Sequence, residues 1–322
     1  MNKHKLIIIS MIVIVLSTVL AIFIYKPRPI DKYTTTTTAK SKADLSFAVL
    51  GDVHGGTYNF QKAVNDLYEI NPSMDALVLN GDTVNEGSEQ QYDAVKKFLS
   101  KNKDLLPTKI IKNIGNHEFF DYNIGTNSPQ QVKTFINRYL EFSGEKKVYH
   151  DTWIKGYHFI SLGSEDGKSK TTNAVEASIS IKQQNWLRKK LAENHKQGKP
   201  IFVFLHQNLK PFWNWIGVKQ SKQVIQILSE YPEVILFTSH THSDLNASSV
   251  VTNEPFTMIH TGAIKYTLAF DVSSKGIIKS MKKKNYIKGL YIEVNGNNVV
   301  VKGRDIKERR WIFTKKLSKN IK

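Results

Sequence analysis

Apolar residues recur along this 322-residue chain in two alternating rhythms. Short apolar-rich runs at 47–50, 76–79, 110–114, 201–205 and 234–237 read as buried strands. The stretches between them switch to helical spacing. Phe60, Ala63, Val64, Leu67 and Tyr68 mark one helix face, Tyr92, Val95 and Leu99 a second, and Val132, Phe135, Ile136 and Tyr139 a third. Trp186, Leu187 and Leu191 mark a fourth, and Val224, Ile227, Leu228 and Tyr231 a fifth. Ser88, three residues before Gln91, predicts a capping box at the second helix. Near the end, 290–294 and 299–302 joined through Asn295-Gly296 predict a β-hairpin. Strands alternating with helices predict an α/β domain with helices packed on sheets. No internal repeat is present.

The amino-terminal pattern differs. Residues 6–25 form an uncharged apolar run, long enough as a helix to cross a hydrocarbon core of about 30 Å. An uncleaved anchor is expected, with a cleaved signal peptide as the alternative. More Lys/Arg follow the run than precede it, which by the positive-inside count keeps the large domain cytoplasmic. The signal-like layout argues the other way, and the expectation is a single-pass cell-membrane protein with an extracytoplasmic domain. The resulting division is a basic start at 1–5, a transmembrane anchor at 6–25 and a Thr/Lys-rich linker at 26–45. A domain follows over 46–305 (ligand core 46–262, hairpin region 286–305), then a basic tail over 306–322.

Composition narrows the chemistry. Cysteine is absent, so disulfides and thiolate ligands are excluded. The net charge of +18 is concentrated at the ends: fifteen Lys/Arg against three acids lie in 275–322, and seven against two in 1–46. Such ends are suited to an anionic surface or polymer, with nucleic acid a lesser expectation. A Lys-rich surface with no partner is the plainer reading.

Five of the predicted strands run into a metal-ligand side chain. The sequences are Gly51-Asp52-Val53-His54-Gly55, Asn80-Gly81-Asp82-Thr83-Val84-Asn85, Gly115-Asn116-His117-Glu118, His206, and Ser239-His240-Thr241-His242. In an α/β sheet the carboxyl ends of the strands share one edge, where sites gather. In this order the blocks resemble the calcineurin-like metallophosphoesterase superfamily, over roughly residues 46–305. The resemblance implies a sandwich of two mixed β-sheets flanked by helices. It implies a phosphomonoesterase or phosphodiesterase with a dinuclear centre and a bridging hydroxide nucleophile. Asp52, His54 and His242 would hold one ion, Asp82 would bridge, and Asn116, His206 and His240 would complete the second. His117 would serve the leaving group as acid or charge stabiliser. Imidazole and carboxamide suit divalent Mn, Fe or Zn.

Some positions depart from the family pattern. Asn85 stands where some relatives carry an Asp paired with the histidine, and Ser239 replaces a glycine. The tyrosine of purple acid phosphatases and the arginines of protein Ser/Thr phosphatases are missing. A nuclease of the same superfamily and a non-catalytic, membrane-tethered scaffold binding an anionic polymer are the alternatives. His260 is a candidate support for the ligands, while His150, His158 and His195 read as ordinary surface or strand residues. Trp213 and Trp215 read as a lid, a stacking wall, a membrane-surface contact, or simple loop packing.

Overall fold

The computed structural model describes residues 43–210, 217–272 and 278–317. In chain order these form β1 (Leu45–Leu50), α1 (Thr57–Ile70), β2 (Ala76–Asn80), α2 (Glu89–Lys101) and β3 (Lys109–Asn113). Next come α3 (Pro129–Ser143), β4 (His150–Ile154), β5 (Tyr157–Ser161), α4 (Ile181–Ala192), β6 (Ile201–Phe204), α5 (Ser221–Ser229) and β7 (Val234–Thr238). The remainder is β8 (Val250–Val251), β9 (Thr257–His260), β10 (Thr267–Val272), β11 (Ile278–Lys284), β12 (Lys288–Asn295), β13 (Asn298–Asp305) and β14 (Arg310–Leu317).

Two mixed six-stranded sheets result, in the orders β14-β13-β12-β1-β2-β3 and β4-β5-β6-β7-β9-β8, with β10-β11 as a separate hairpin. Period-two alternation decides how they pack. On β1, Phe47 and Val49 enter the core between the sheets, while Ala48 and Leu50 face the cluster containing Phe60, Val64 and Leu67 of α1. Phe47 lies 4.9 Å from the Phe202 ring and 5.0 Å from Phe159. Each such buried ring contributes about 1.5–3 kcal/mol. On the second sheet, Val203 and Leu236 join Leu187 and Leu191 of α4 and Val224, Ile227 and Leu228 of α5.

Helix ends follow local chemistry. Ser88 accepts from the Gln91 main chain, but the Gln91 side chain turns away to accept from the N–H groups of Asn85 and Glu86, at 2.8 and 3.0 Å. A complete capping box sits on α3, between Ser128 and Gln131 with a proline at the helix start, and that helix ends at left-handed Gly144.

Two sequence expectations are corrected. The stretch expected as a basic tail continues the first sheet, because 310–317 pair with β13 as its edge strand. The transmembrane helix, and the single-pass membrane location with an extracytoplasmic domain drawn from it, are not supported. No helix among the described residues is long and apolar enough to cross a membrane. The longest of those helices, α3, has 15 residues and so spans about 22 Å, and it is amphipathic. The apolar run 6–25 and the 211–216 loop with Trp213 and Trp215 lie outside the described residues.

Candidate metal centre

Strands β1, β2 and β3 are parallel in one sheet, and β5, β6, β7 and β9 in the other. Their carboxyl ends therefore bring the exit loops to one edge. Asp52 and His54 follow β1, Asp82 follows β2, Asn116 and His117 follow β3, His206 follows β6, and His240 and His242 follow β7. All seven expected ligands are buried, and His117 is partly so.

Backbone geometry marks the same residues. Nine non-glycine residues among those described have positive φ, and five are Asp52, His54, Asp82, His240 and His242, at φ between 47° and 68°. Each costs about 1–3 kcal/mol unless its surroundings over-determine it. Here the exit loops are laced together: His54 N–H donates to the Asp82 carbonyl at 2.8 Å and Asp52 N–H to the Gly81 carbonyl at 3.2 Å. Gly81 is left-handed, and a Cβ there would lie 2.5 Å from the His206 ring. A Cβ at Gly51 would overlap the Ser239 hydroxyl, so the serine fills space left by the glycine facing it.

Ligand atoms of Asp52, His54 and His242 lie within 4.8 Å of one another, as do those of Asp82, His206 and His240, and those of His54, Asp82 and His117. The sets adjoin: Asp82 Oδ2 is 3.1 Å from His206 Nε2 and 3.7 Å from His54 Nε2. Asp52 Oδ1 is 3.3 Å from His242 Nε2 and 3.9 Å from His206 Nε2.

The donor set fits cations. His206 Nδ1–H donates to the Asn80 carbonyl at 2.8 Å and His242 Nδ1–H to the Tyr266 carbonyl at 2.9 Å. Each ring thus turns its Nε2 inward, the arrangement that orients metal-ligating histidines. His54 Nε2 and His242 Nε2 face each other at 3.0 Å. Asn116 spends its amide N–H on the Ala174 carbonyl, leaving Oδ1 buried without a hydrogen-bond partner among the described residues, as are Asp52 Oδ1 and His206 Nε2. Burying such atoms unsatisfied is costly, and a cation would satisfy them.

Charge is strongly redistributed. Burial raises Asp52, with His242 and His206 partly opposing. At Asp82, burial is outweighed by His206 and His117, and its carboxyl sits well below the usual range. Burial drives His54 down to about 3 and His240 well below 6.5. His206 is buried too, yet Asp82 and Asp52 lift it to about 9.

His117 is oriented by main chain. Its Nδ1–H donates to the Asn85 main-chain carbonyl at 2.9 Å, so the side chain that replaces an aspartate does not set the ring. Its backbone N–H holds Asp82 Oδ1 at 2.9 Å. His260 is a support and not a ligand. Gly262 N–H donates to its Nδ1, and its Nε2–H faces the Ser239 carbonyl at 3.0 Å and the Thr241 hydroxyl at 2.8 Å. Burial holds it neutral, down to about 4.

Sequence reasoning missed two supports. Glu118 is buried and its carboxylate accepts N–H bonds from Gly115 at 2.7 Å, Thr83 at 2.8 Å and Asp82 at 3.0 Å, fixing two exit loops to each other. Burial and the Asp82 carboxylate push it up to about 7. Beneath the site, Asn113 donates to Asn80, Asn80 donates to the Ser239 hydroxyl, and that hydroxyl meets Thr261 at 2.7 Å. Asparagine at the carboxyl ends of two adjacent strands, one of them otherwise apolar, was the available signal. His150, His158 and His195 lie apart, each beside its own carboxylate. The Asp151–His158–Glu193 group already holds a cation, since Lys190 Nζ is 3.1 Å from Asp151 and 2.9 Å from Glu193.

Paired Asp/His clusters at the strand ends of two packed sheets define a mixed α/β phosphoesterase architecture with a candidate metal site. The chain belongs to the calcineurin-like phosphoesterase family, whose model matches residues 45–244. Among solved structures it is similar in fold to GAP50, the anchor in the inner membrane complex of Plasmodium, at TM-score 0.56 and 15% identity over 86% of this chain and 90% of that one. Weaker likenesses are to a conserved uncharacterized protein, a predicted phosphoesterase from Streptococcus pneumoniae (TM-score 0.38, 12% identity, 85% and 98% covered), and to Vacuolar Protein Sorting 29 from Cryptosporidium parvum (TM-score 0.40, 13% identity, 85% and 98% covered). No curated protein matches the sequence.

Proposed function

We propose that the chain is a metal-dependent phosphoester hydrolase working with two divalent transition-metal ions. Asp52, His54 and His242 would hold one ion, Asn116, His206 and His240 the other, with Asp82 reaching both. Such a pair, when bound, polarises the phosphoryl group and acidifies a water for attack. The chain's own residues supply the rest. Asn80 and Tyr266 carbonyls fix the histidine tautomers, and Glu118 holds the Asp82 and Asn116 loops in register. His117 commits Nδ1–H to a carbonyl, so its Nε2 is the atom left to pass a proton to the departing oxygen.

The observation that carries this reading is the convergence of two Asp/His triads, in each of which one imidazole, His242 or His206, is held by a backbone carbonyl so that it presents Nε2. A scaffold role, such as the anchoring named for the Plasmodium relative, would not require all seven donors to be kept in place. Equilibrium dialysis against Mn²⁺, Zn²⁺ and Fe²⁺, with a panel of phosphomonoesters and phosphodiesters, tests it. Asp82→Ala is expected to abolish metal uptake and turnover together. Hydrolysis that survives Asp82→Ala, or a protein that takes up none of the three metals, would overturn it.

A further inference from the structure

The edge of the site beside His54 and His242 carries a cluster of groups that the proposed reaction does not use. Segment 264–266 lies along the exit loop of β1: Lys265 N–H donates to the Asp52 carbonyl at 2.9 Å and Ile264 N–H to the Gly51 carbonyl at 3.1 Å. Asn59 of α1 fixes the segment from the other side, donating to the carbonyls of Ile264 and Lys265. Tyr266 stacks on His242, with ring centroids 4.3 Å apart and planes inclined by 19°. The β10-β11 hairpin is docked to the same histidine, because Leu268 N–H donates to the His242 carbonyl at 2.7 Å. Lys283 stands opposite Leu268 in that hairpin, and its Nζ lies 4.0 Å from the Tyr266 centroid.

Both lysine side chains are exposed, and neither has a carboxylate within ion-pair distance among the described residues, whereas nearby Lys210 pairs with Glu254 and Lys288 with Asp244. Lys265 also shares a cavity of about 330 Å³ with His54, Thr57, Asn85 and Gln91. Two cations without a carboxylate partner among the described residues are therefore tied through backbone bonds to the wall of a site whose substrate, on the reading above, is already an anion.

We propose that Lys265 and Lys283, with Tyr266 between them in the cluster, form a cationic rim that binds a second anionic group on the substrate's leaving portion, so that the preferred substrates are small organic phosphates carrying two anionic groups. This rests on the hydrolase reading, and the test separates the two. The full-length protein loaded with Mn²⁺ is titrated calorimetrically with alkylphosphonates and with α,ω-alkyl bisphosphonates and ω-carboxyalkyl phosphonates of the same chain length, none of which is hydrolysed. The doubly anionic probes are expected to bind about tenfold or more tighter than the singly anionic one at low ionic strength, and less so as salt screens the rim. Lys265→Met and Lys283→Met, which keep the apolar stems, should each lower that ratio about threefold or more. Which doubly anionic probe binds tighter tells whether the second group is phosphate-like or a carboxylate. A wild-type ratio no larger than the statistical factor of about two for a two-ended ligand, or a ratio unchanged in both variants, overturns the rim while leaving the hydrolase reading intact. A Mn²⁺-loaded protein that binds no phosphonate at all overturns both.

Discussion

Glu118 offers the most direct test of how packing prepares the site. Its carboxylate, 1% exposed, is the acceptor for N–H groups of Gly115, Thr83 and Asp82 at 2.7–3.0 Å, with Val84 N–H more distant at 3.4 Å. Glu118→Ala leaves three close donors in a buried space. At about 1–3 kcal/mol for each orphaned donor, and allowing for water entering the space vacated, the loss should be about 3–5 kcal/mol. That is a large part of the 5–15 kcal/mol typical of a folded domain. Glu118→Gln keeps one acceptor but turns an NH₂ toward N–H groups, and should fall between wild type and Ala. Urea unfolding followed by tryptophan fluorescence, without added metal, gives the stability difference. Because the same bonds place Asp82 and Asn116, Mn²⁺ affinity should drop about 10–100-fold in parallel. A loss under about 1 kcal/mol, or a full loss of stability with unchanged Mn²⁺ affinity, would refute the argument that this carboxylate sets both loops.

Three further outcomes follow from the structure. Phe47→Ala empties a fully buried position among four phenylalanine rings and should cost about 3–5 kcal/mol in a urea melt, with no direct effect on metal binding. Asp66→Ala strips Arg304 of a buried bidentate partner at 2.7 and 2.8 Å and should cost about 3–5 kcal/mol, most of it recovered when Arg304→Met is added. Burial lowers the folded pKa of His158 below 6.5, with Asp151 partly opposing, so the folded state resists a proton that the unfolded chain accepts. Stability from this residue is present above about pH 6.5 and is lost as pH falls toward the lowered folded value, and thermal melts of His158→Phe should be flatter over that range.

The strand-and-helix rhythm and the five ligand blocks were legible because both depend on local order in the chain. An apolar run at 76–79 is buried wherever it packs, and Gly81-Asp82 must leave the strand as a turn. The hairpin through Asn295-Gly296 is present for the same reason, its turn being written in adjacent residues. What could not be read is what depends on distant neighbours. His260 resembles any histidine at a strand end until the 239–242 turn is placed above it. Glu118 is the last letter of a motif until four backbone N–H groups converge on it. Arg310–Leu317 reads as a charged tail because an edge strand exposes one face to solvent and needs only half an apolar pattern. Lys265 and Lys283 are two among many lysines in the sequence, and only the docking of 264–266 and of the β10-β11 hairpin onto the Asp52 and His242 loops sets them together. Sequence by itself determined which side chains have the right chemistry, since that is a property of residue type and of the strand each one follows. Tertiary structure alone decided which atoms face inward, which tautomers are fixed and which charges stay unpaired, because those are settled by hydrogen bonds between segments as far as 188 and 238 residues apart.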